Sequence, residues 1–213
     1  LQMTKGSNGD FTVASFMDYY WNEMALTIAE NVEKLRWSGD TDSGTAALAL
    51  CDGYKKSLVA DAANVIEVGG ATPPAITPAN VLEKLALVYA AIPAAVIANQ
   101  DELRIYVSSP VATAYRAAVA ASNTQANLTQ ALDFTYLGIK MVLSPGMLGK
   151  STIVATLRNN LIYAFDAEGD GKALRAINLA DTVAEPVIRT RANMKVGFTH
   201  VNGNEIVFYN SAS

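Results

Sequence analysis

The sequence predicts an α+β fold, led by a long helix and closed by strands. Three observations carry this. One helical apolar stripe runs from Phe16 to Trp37, strand-like alternation dominates after Ser151, and Asn202-Gly203 gives a hairpin signal near the C-terminal end. The elements lack the regular strand-helix-strand alternation of a parallel α/β sheet. With 213 residues the chain makes one large domain or two modest ones and buries a substantial core.

In the first element, Phe16, Tyr20, Met24, Ile28, Val32 and Leu35 recur at spacings of four and three, as on one face of a helix. Ser15 is placed to cap it, with Asp18 three positions on, and Gly39 is the expected stop. The connector WSGDTDSGT is rich in turn formers, and the segment AALALCDGYKKSLV after it carries no decisive period. GGATPPAITP, residues 69–78, is the strongest breaker and a candidate boundary. Pro78 is expected to open a helix carrying Val81, Leu82, Leu85, Val88 and Tyr89, which Pro93 ends.

ELRIYVSS, residues 102–109, alternates as a strand, and Pro110 opens an alanine-rich helix through Ala121. Residues 123–130 are polar and read as a loop before the strand GIKMVL. The strands STIVATL, NLIYAFD and ALRAINL follow, then the alternating run VIRTRANMKVGFTHV. Asn202-Gly203 is expected as a type I′ turn pairing KVGFTHV with NEIVFYN, since that turn needs positive φ at both central residues. No internal repeat is present.

Composition narrows the function classes. The chain is 51% hydrophobic and 17% charged, less charged than a typical soluble domain, which points to a surface partly covered by other protein. A net charge of −4 with no lysine- or arginine-rich run argues against a dedicated nucleic-acid binder. One cysteine, Cys51, excludes an internal disulfide framework and every multi-cysteine metal site, and its expected role is that of a small buried hydrophobe. No apolar run approaches the roughly 18 residues that span a bilayer, and LQMTKGSNGD carries no signal-peptide core, so a soluble chain unmarked for export is expected.

Four stretches invite a chemical reading. SPGMLGKST, residues 144–152, has Gly149, Lys150 and a hydroxyl residue where a phosphate cradle has them. The glycine required five positions before Gly149 is Ser144, Pro145 lacks an N–H, and a strand-like segment follows instead of a helix, so a loop between strands is expected. DAEGDGKALRAI, residues 166–177, has calcium-loop oxygens at Asp166, Glu168 and Asp170, yet Ile177 stands where the bidentate glutamate belongs. An acidic turn between strands is the expectation.

His200, the only histidine, lies beside the Asn-Gly turn, and nothing in the sequence brings Cys51 or a serine near it. Asp40 and Asp42 read as turn formers. Arg189 and Arg191 alternate on one strand face, which must meet carboxylates, phosphates or water. No catalytic, cofactor-binding or metal-binding residue is assigned, no cofactor is expected, and the chain is not expected to be an enzyme.

In order and spacing these elements resemble the HK97-type major capsid proteins of tailed bacteriophages. FMDYYWNEMALTIAENVEKLRW with SGD after it resembles the family's spine helix and closing turn. TPANVLEKLALVYAAIP resembles the helix after the peripheral-domain loop, and LRIYVSSPVATAYRAA the strand, proline and helix of the axial domain. FTYLGIKMVLSPGM and STIVATLRNNLIYAFD resemble the strands that follow, and PVIRTRANMKVGFTHVNGNEIVFYN resembles the returning peripheral strands.

The resemblance implies a peripheral domain, a spine helix plus antiparallel sheet, at residues 15–77 and 186–213, and an axial domain, a mixed sheet flanked by helices, at 78–185. Residues 1–14 would be a remnant of the segment before the spine helix. The family's N-terminal arm and extended loop would precede Phe16, so a fragment or a divergent relative is expected. The implied function is a structural shell subunit of the virion, assembled in the bacterial host's cytoplasm. It would form hexamers and pentamers with its own copies and enclose double-stranded DNA without reading it. Scaffold, portal and decoration proteins are the further partners implied, and no membrane is involved. An encapsulin-like compartment shell is the near alternative. The distant one is a small-molecule-binding or hydrolytic domain using Asp166 to Asp170 with His200.

Overall fold

The computed structural model describes residues 13–70, 72–122, 133–149, 151–165, 174–178, 188–192 and 194–211. The expected polar loop at 123–130 and the acidic turn at 166–170 lie outside these residues.

The apolar stripe forms one unbroken helix, α1 (Val13–Ser38), of 26 residues and about 39 Å. It begins before Ser15, which therefore sits inside the first turn and is not its cap. Among its described side chains, from Tyr19 on, those at the C-terminal end enter a core: Leu35 and Trp37 are buried and Val32 packs beside them, whereas Tyr20, Met24 and Ile28 are half-exposed and Leu26 is exposed. Gly39 stops the helix sterically. A Cβ there would overlap the carbonyls of Leu35 and Cys51, because the connector doubles back and Gly53 N donates to Gly39 O at 2.9 Å.

The segment without a decisive period yields a short helix, α2 (Tyr54–Ala60), and a two-residue strand, β1 (Ile66–Glu67). The helix expected from Pro78 is α3 (Val81–Ala91) and starts three residues later. Asn80 is the reason: its carboxamide accepts from Thr77 N at 2.8 Å and donates to Ala75 O at 3.1 Å, holding 77–80 as a turn. A single turn, α4 (Ala94–Ile97), follows Pro93. Strand β2 (Leu103–Val107) runs into α5 (Ser109–Ser122), with Pro110 in the first turn, where its missing N–H costs nothing.

Besides 3-10 turns at Arg158–Asn160 and Gly203–Glu205, the remaining described elements are strands: β3 (Thr135–Tyr136), β4 (Ile139–Leu143), β5 (Thr152–Leu157), β6 (Leu161–Phe165), β7 (Leu174–Asn178), β8 (Ile188–Ala192), β9 (Val196–His200) and β10 (Val207–Asn210). Of the ten strands among the described residues, six form one mixed sheet in the order β1-β10-β5-β2-β4-β3, while β6 pairs with β9 and β7 with β8.

Both faces of the six-stranded sheet are covered. Because side chains alternate along a strand, Leu103, Ile105, Val107, Ile139, Met141, Ile153, Ala155, Val207 and Tyr209 share one face. That face packs on α3 through Val81, Leu85 and Val88 and on α5 through Val111, Tyr115 and Val119. Tyr106, Val154 and Phe208 point the other way, to Leu35 and Trp37 of α1 and Tyr54 and Leu58 of α2. Trp37 is the hub of this second core, its ring 5.2 Å from Tyr54 and 5.4 Å from Tyr106. Two-sided burial explains why Ile153, Val154 and Ala155 are apolar in succession, as they would not be in a strand with only one covered face.

Asn202-Gly203 does not make the expected hairpin. Asn202 has φ −131°, extended rather than left-handed, and caps a 3-10 turn at Gly203–Glu205. β9 pairs with β6, and β10 with β5 and β1, so the two strands are not neighbours. The turn instead carries the chain from one sheet into another. β10 lies inside the sheet made by residues 103–157, while β6, from the middle segment, leaves it to pair with β9.

Candidate functional surfaces

The glycine-rich loop at 144–152 joins β4 to β5, as expected, and docks on the end of α1. Ser38 Oγ donates to Gly146 O at 2.7 Å and accepts from Leu148 N at 3.0 Å, and Met147 N donates to Ser144 O at 3.1 Å. These N–H groups are spent on the protein itself. Gly146 is required because a Cβ would overlap the Glu33 carbonyl, and Met147 is buried in the second core. A strand follows the loop, so no helix N-terminus faces it.

His200, without a partner legible in the sequence, has two in the fold. Its Nδ1 is 3.1 Å from Ser57 Oγ and its Nε2 is 3.0 Å from Asp61 Oδ2. A carboxylate only accepts, so Nε2–H donates to Asp61 and Nδ1 accepts the Ser57 hydroxyl when the ring is neutral. This bond, and a second from Asn64, hold the Asp61 carboxyl below its usual range. The trio has the members of a hydrolase triad but not its order, since the aspartate takes Nε2. Ser57 N is bonded to Gly53 O and is not free to hold an oxyanion. Ser57 and Asp61 are four residues apart around the short helix α2, which sequence periodicity did not reveal.

Asp40 and Asp42 do form a turn, Asp42 N donating to Asp40 Oδ1 at 2.9 Å. They also meet Lys56 Nζ, each at 2.7 Å, and Asp52 joins them at 2.9 Å. Hydrogen bonds from Thr41 N, Lys56 and the Thr41 hydroxyl hold Asp52 down to about 2. The ammonium thus fills the space between three carboxylates and ties the connector to α2. Cys51 is half-buried against the second core, and burial, with Asp52 beside it, pushes its thiol up.

Arg189 and Arg191 lie on β8, opposite Ile177 and Arg175 of β7 in register. Ile177, which denied the calcium loop its last ligand, is thus a strand residue. Among the described residues no group of three or more His, Cys, Asp or Glu is placed to hold a metal ion, and no helix is long and apolar enough to cross a membrane.

What the fold leaves open is apolar. On the β6–β9 ribbon Leu161 and Phe198 are buried, but Ile162, Tyr163 and Phe165 are exposed, Phe165 at 62%. Tyr163 stacks on Phe198 at 5.3 Å and lies 5.5 Å from Phe165, so an aromatic row runs from the core out along the ribbon. The half-exposed stripe of α1 is a second such surface.

This architecture, a long helix and a two-stranded ribbon joined to a two-cored sheet, is one that solved structures share. Neither a family model nor a curated protein sequence matches the chain. Solved structures do. The chain is similar to one in a structure titled Mycobacterium phage Che8, at 14% identity and a TM-score of 0.56, covering 89% of this chain and 61% of that one. It is similar to the capsid of an empty GTA particle at 14% identity and a TM-score of 0.61, covering 97% and 69%. The satellite phage P4 procapsid, a structure that includes its size determination protein, matches at 11% identity and a TM-score of 0.58, covering 92% and 67%. At these identities the likeness is one of fold.

Proposed function

We propose that the chain is a non-enzymatic shell subunit, a major capsid protein that assembles with its own copies into hexamers and pentamers of an icosahedral bacteriophage head. The observation that carries this reading is a fold shared with capsid structures over 89–97% of the chain. The open apolar surfaces support it, since exposed patches of this kind mark contacts with other protein. Contacts in closed rings are heterologous, and many weak ones suffice because multiplicity raises the total stability.

In this reading the six-stranded sheet with α3 and α5 is the axial lobe, which includes the closing strand β10. α1 and the β6–β9 ribbon form the peripheral part that meets other subunits. Double-stranded DNA is enclosed and not read, in keeping with the net charge of −4, because an acidic wall releases few counterions from the genome. The virion is then its location and the host cytoplasm its place of assembly, with scaffold, portal and decoration proteins as further partners.

The test is expression of the complete gene and electron microscopy of the purified product. Rings or closed particles are expected, and a monodisperse monomer would overturn the reading.

A further inference from the structure

We infer that Asn160 and His200 form a two-point clasp that fixes the angle at which the β6–β9 ribbon leaves the six-stranded sheet. The chain crosses between these two parts twice, outward at residues 158–160 and back at 201–203. Asn160 is buried at the crossing and fully engaged. Its Nδ2 donates to Thr156 Oγ1 at 3.1 Å and to Asn202 O at 2.9 Å. Its Oδ1 accepts from Val201 N at 3.2 Å and Asn202 N at 2.8 Å, and its own carbonyl accepts from Val201 N at 3.0 Å. The outgoing and returning strands are thereby pinned to each other and to the end of β5.

One pinned point leaves a ribbon free to swing. His200 supplies the second, one residue before the return crossing, by bonding Ser57 of α2 and Asp61, which caps that helix. α2 belongs to the body, with Tyr54 and Leu58 buried in the second core. Asp61 is itself held by Asn64 Nδ2 at 2.7 Å. Lys56, the neighbour of Ser57, is occupied by Asp40, Asp42 and Asp52, and Glu205 beyond the turn accepts from Asn202 Nδ2 at 3.0 Å. Past these two clasps the ribbon buries little besides Leu161 and Phe198. It is a lever about 16 Å long, and a rotation of about 10° at its root moves its tip by about 3 Å.

The hinge is tested in the subunit itself, independently of assembly, by amide hydrogen exchange. His200→Phe keeps the bulk and removes both bonds to α2. Exchange at β6 and β9 is expected to rise about tenfold while β2 and β5 stay unchanged. Unchanged exchange in the ribbon, or equal acceleration in β2 and β5, overturns the clasp. His200→Gln, able to keep one of the two bonds, is expected to fall between, and a value equal to that of the phenylalanine variant also counts against it. The shell role of the hinge rests on the function proposed above and is read separately. His200→Phe particles are expected to vary in diameter where the parent's are uniform, and uniform particles overturn that role. A complete gene product that forms no particles removes the shell reading while leaving the exchange result intact.

Discussion

Strands β5 and β6 are nearly consecutive and read alike, TIVATL against LIYAF, yet they end in opposite surroundings. Thr152 through Thr156 are all buried, with α-helices over both faces of their sheet, whereas on β6 only Leu161 is covered. Apolar sequence marks a strand as needing cover but does not say what provides it. For β5 the cover is intramolecular. The cover of β6 is left, in the function proposed here, to other copies of the chain.

The sharpest way to break this comparison is at the root that both regions share. Trp37 is fully buried between Tyr54 and Tyr106, and Trp37→Ala is expected to cost about 3–5 kcal/mol, read by urea denaturation. A loss below about 1 kcal/mol would mean that the second core does not hold the body together. Gly146→Ala comes next. The added methyl overlaps the Glu33 carbonyl, and forcing loop and helix apart is expected to cost about 1–3 kcal/mol by the same measurement.

A smaller effect is expected from acid. Asp52 is held down to about 2 and Asp61 is lowered by His200, so each contributes stability above the ordinary carboxylate pKa of about 4. That contribution is lost as pH falls through the lowered folded values. Stability measured in steps from pH 6 to pH 2 is expected to decline, and Asp52→Asn to flatten the decline, since it removes one titrating group. An unchanged slope would show that the Lys56 cluster is not coupled to folding. The least effect on the subunit is expected at the ribbon's end. Phe165 is exposed, so Phe165→Ser is expected to shift stability by less than about 0.5 kcal/mol while reducing particle formation in electron micrographs. Normal particles would mean that this side chain is not a contact between copies.

Much of the element list was legible before the fold was known. The long helix, α3, β2 with α5 behind Pro110, and β4 to β7 follow from periods of 3.6 and 2 with their breakers, and the glycine-rich loop was separable from a phosphate cradle by Ser144 and Pro145. The failures lie at element ends. Ser15 falls inside a helix that starts two residues earlier, while Pro78 and Asn202-Gly203 carry signals that other bonds override: Asn80 bonds across the turn before α3, and Asn160, far off in sequence, holds Asn202 in an extended conformation. The Ser57–His200–Asp61 cluster was invisible because 139 residues separate His200 from Asp61, and the short helix that aligns Ser57 with Asp61 has no readable period.

By itself the sequence determined the local grammar: which stretches are helix or strand, where they stop, and that no chemistry-bearing motif is complete. Those properties depend on neighbours a few residues apart, and a single chain displays them directly. Only the tertiary structure decided the order of strands, the return of β10 into the first sheet and the departure of β6 from it. Strand pairing joins residues distant in sequence through backbone groups that every residue carries alike, so it leaves no mark on the identity of any one of them.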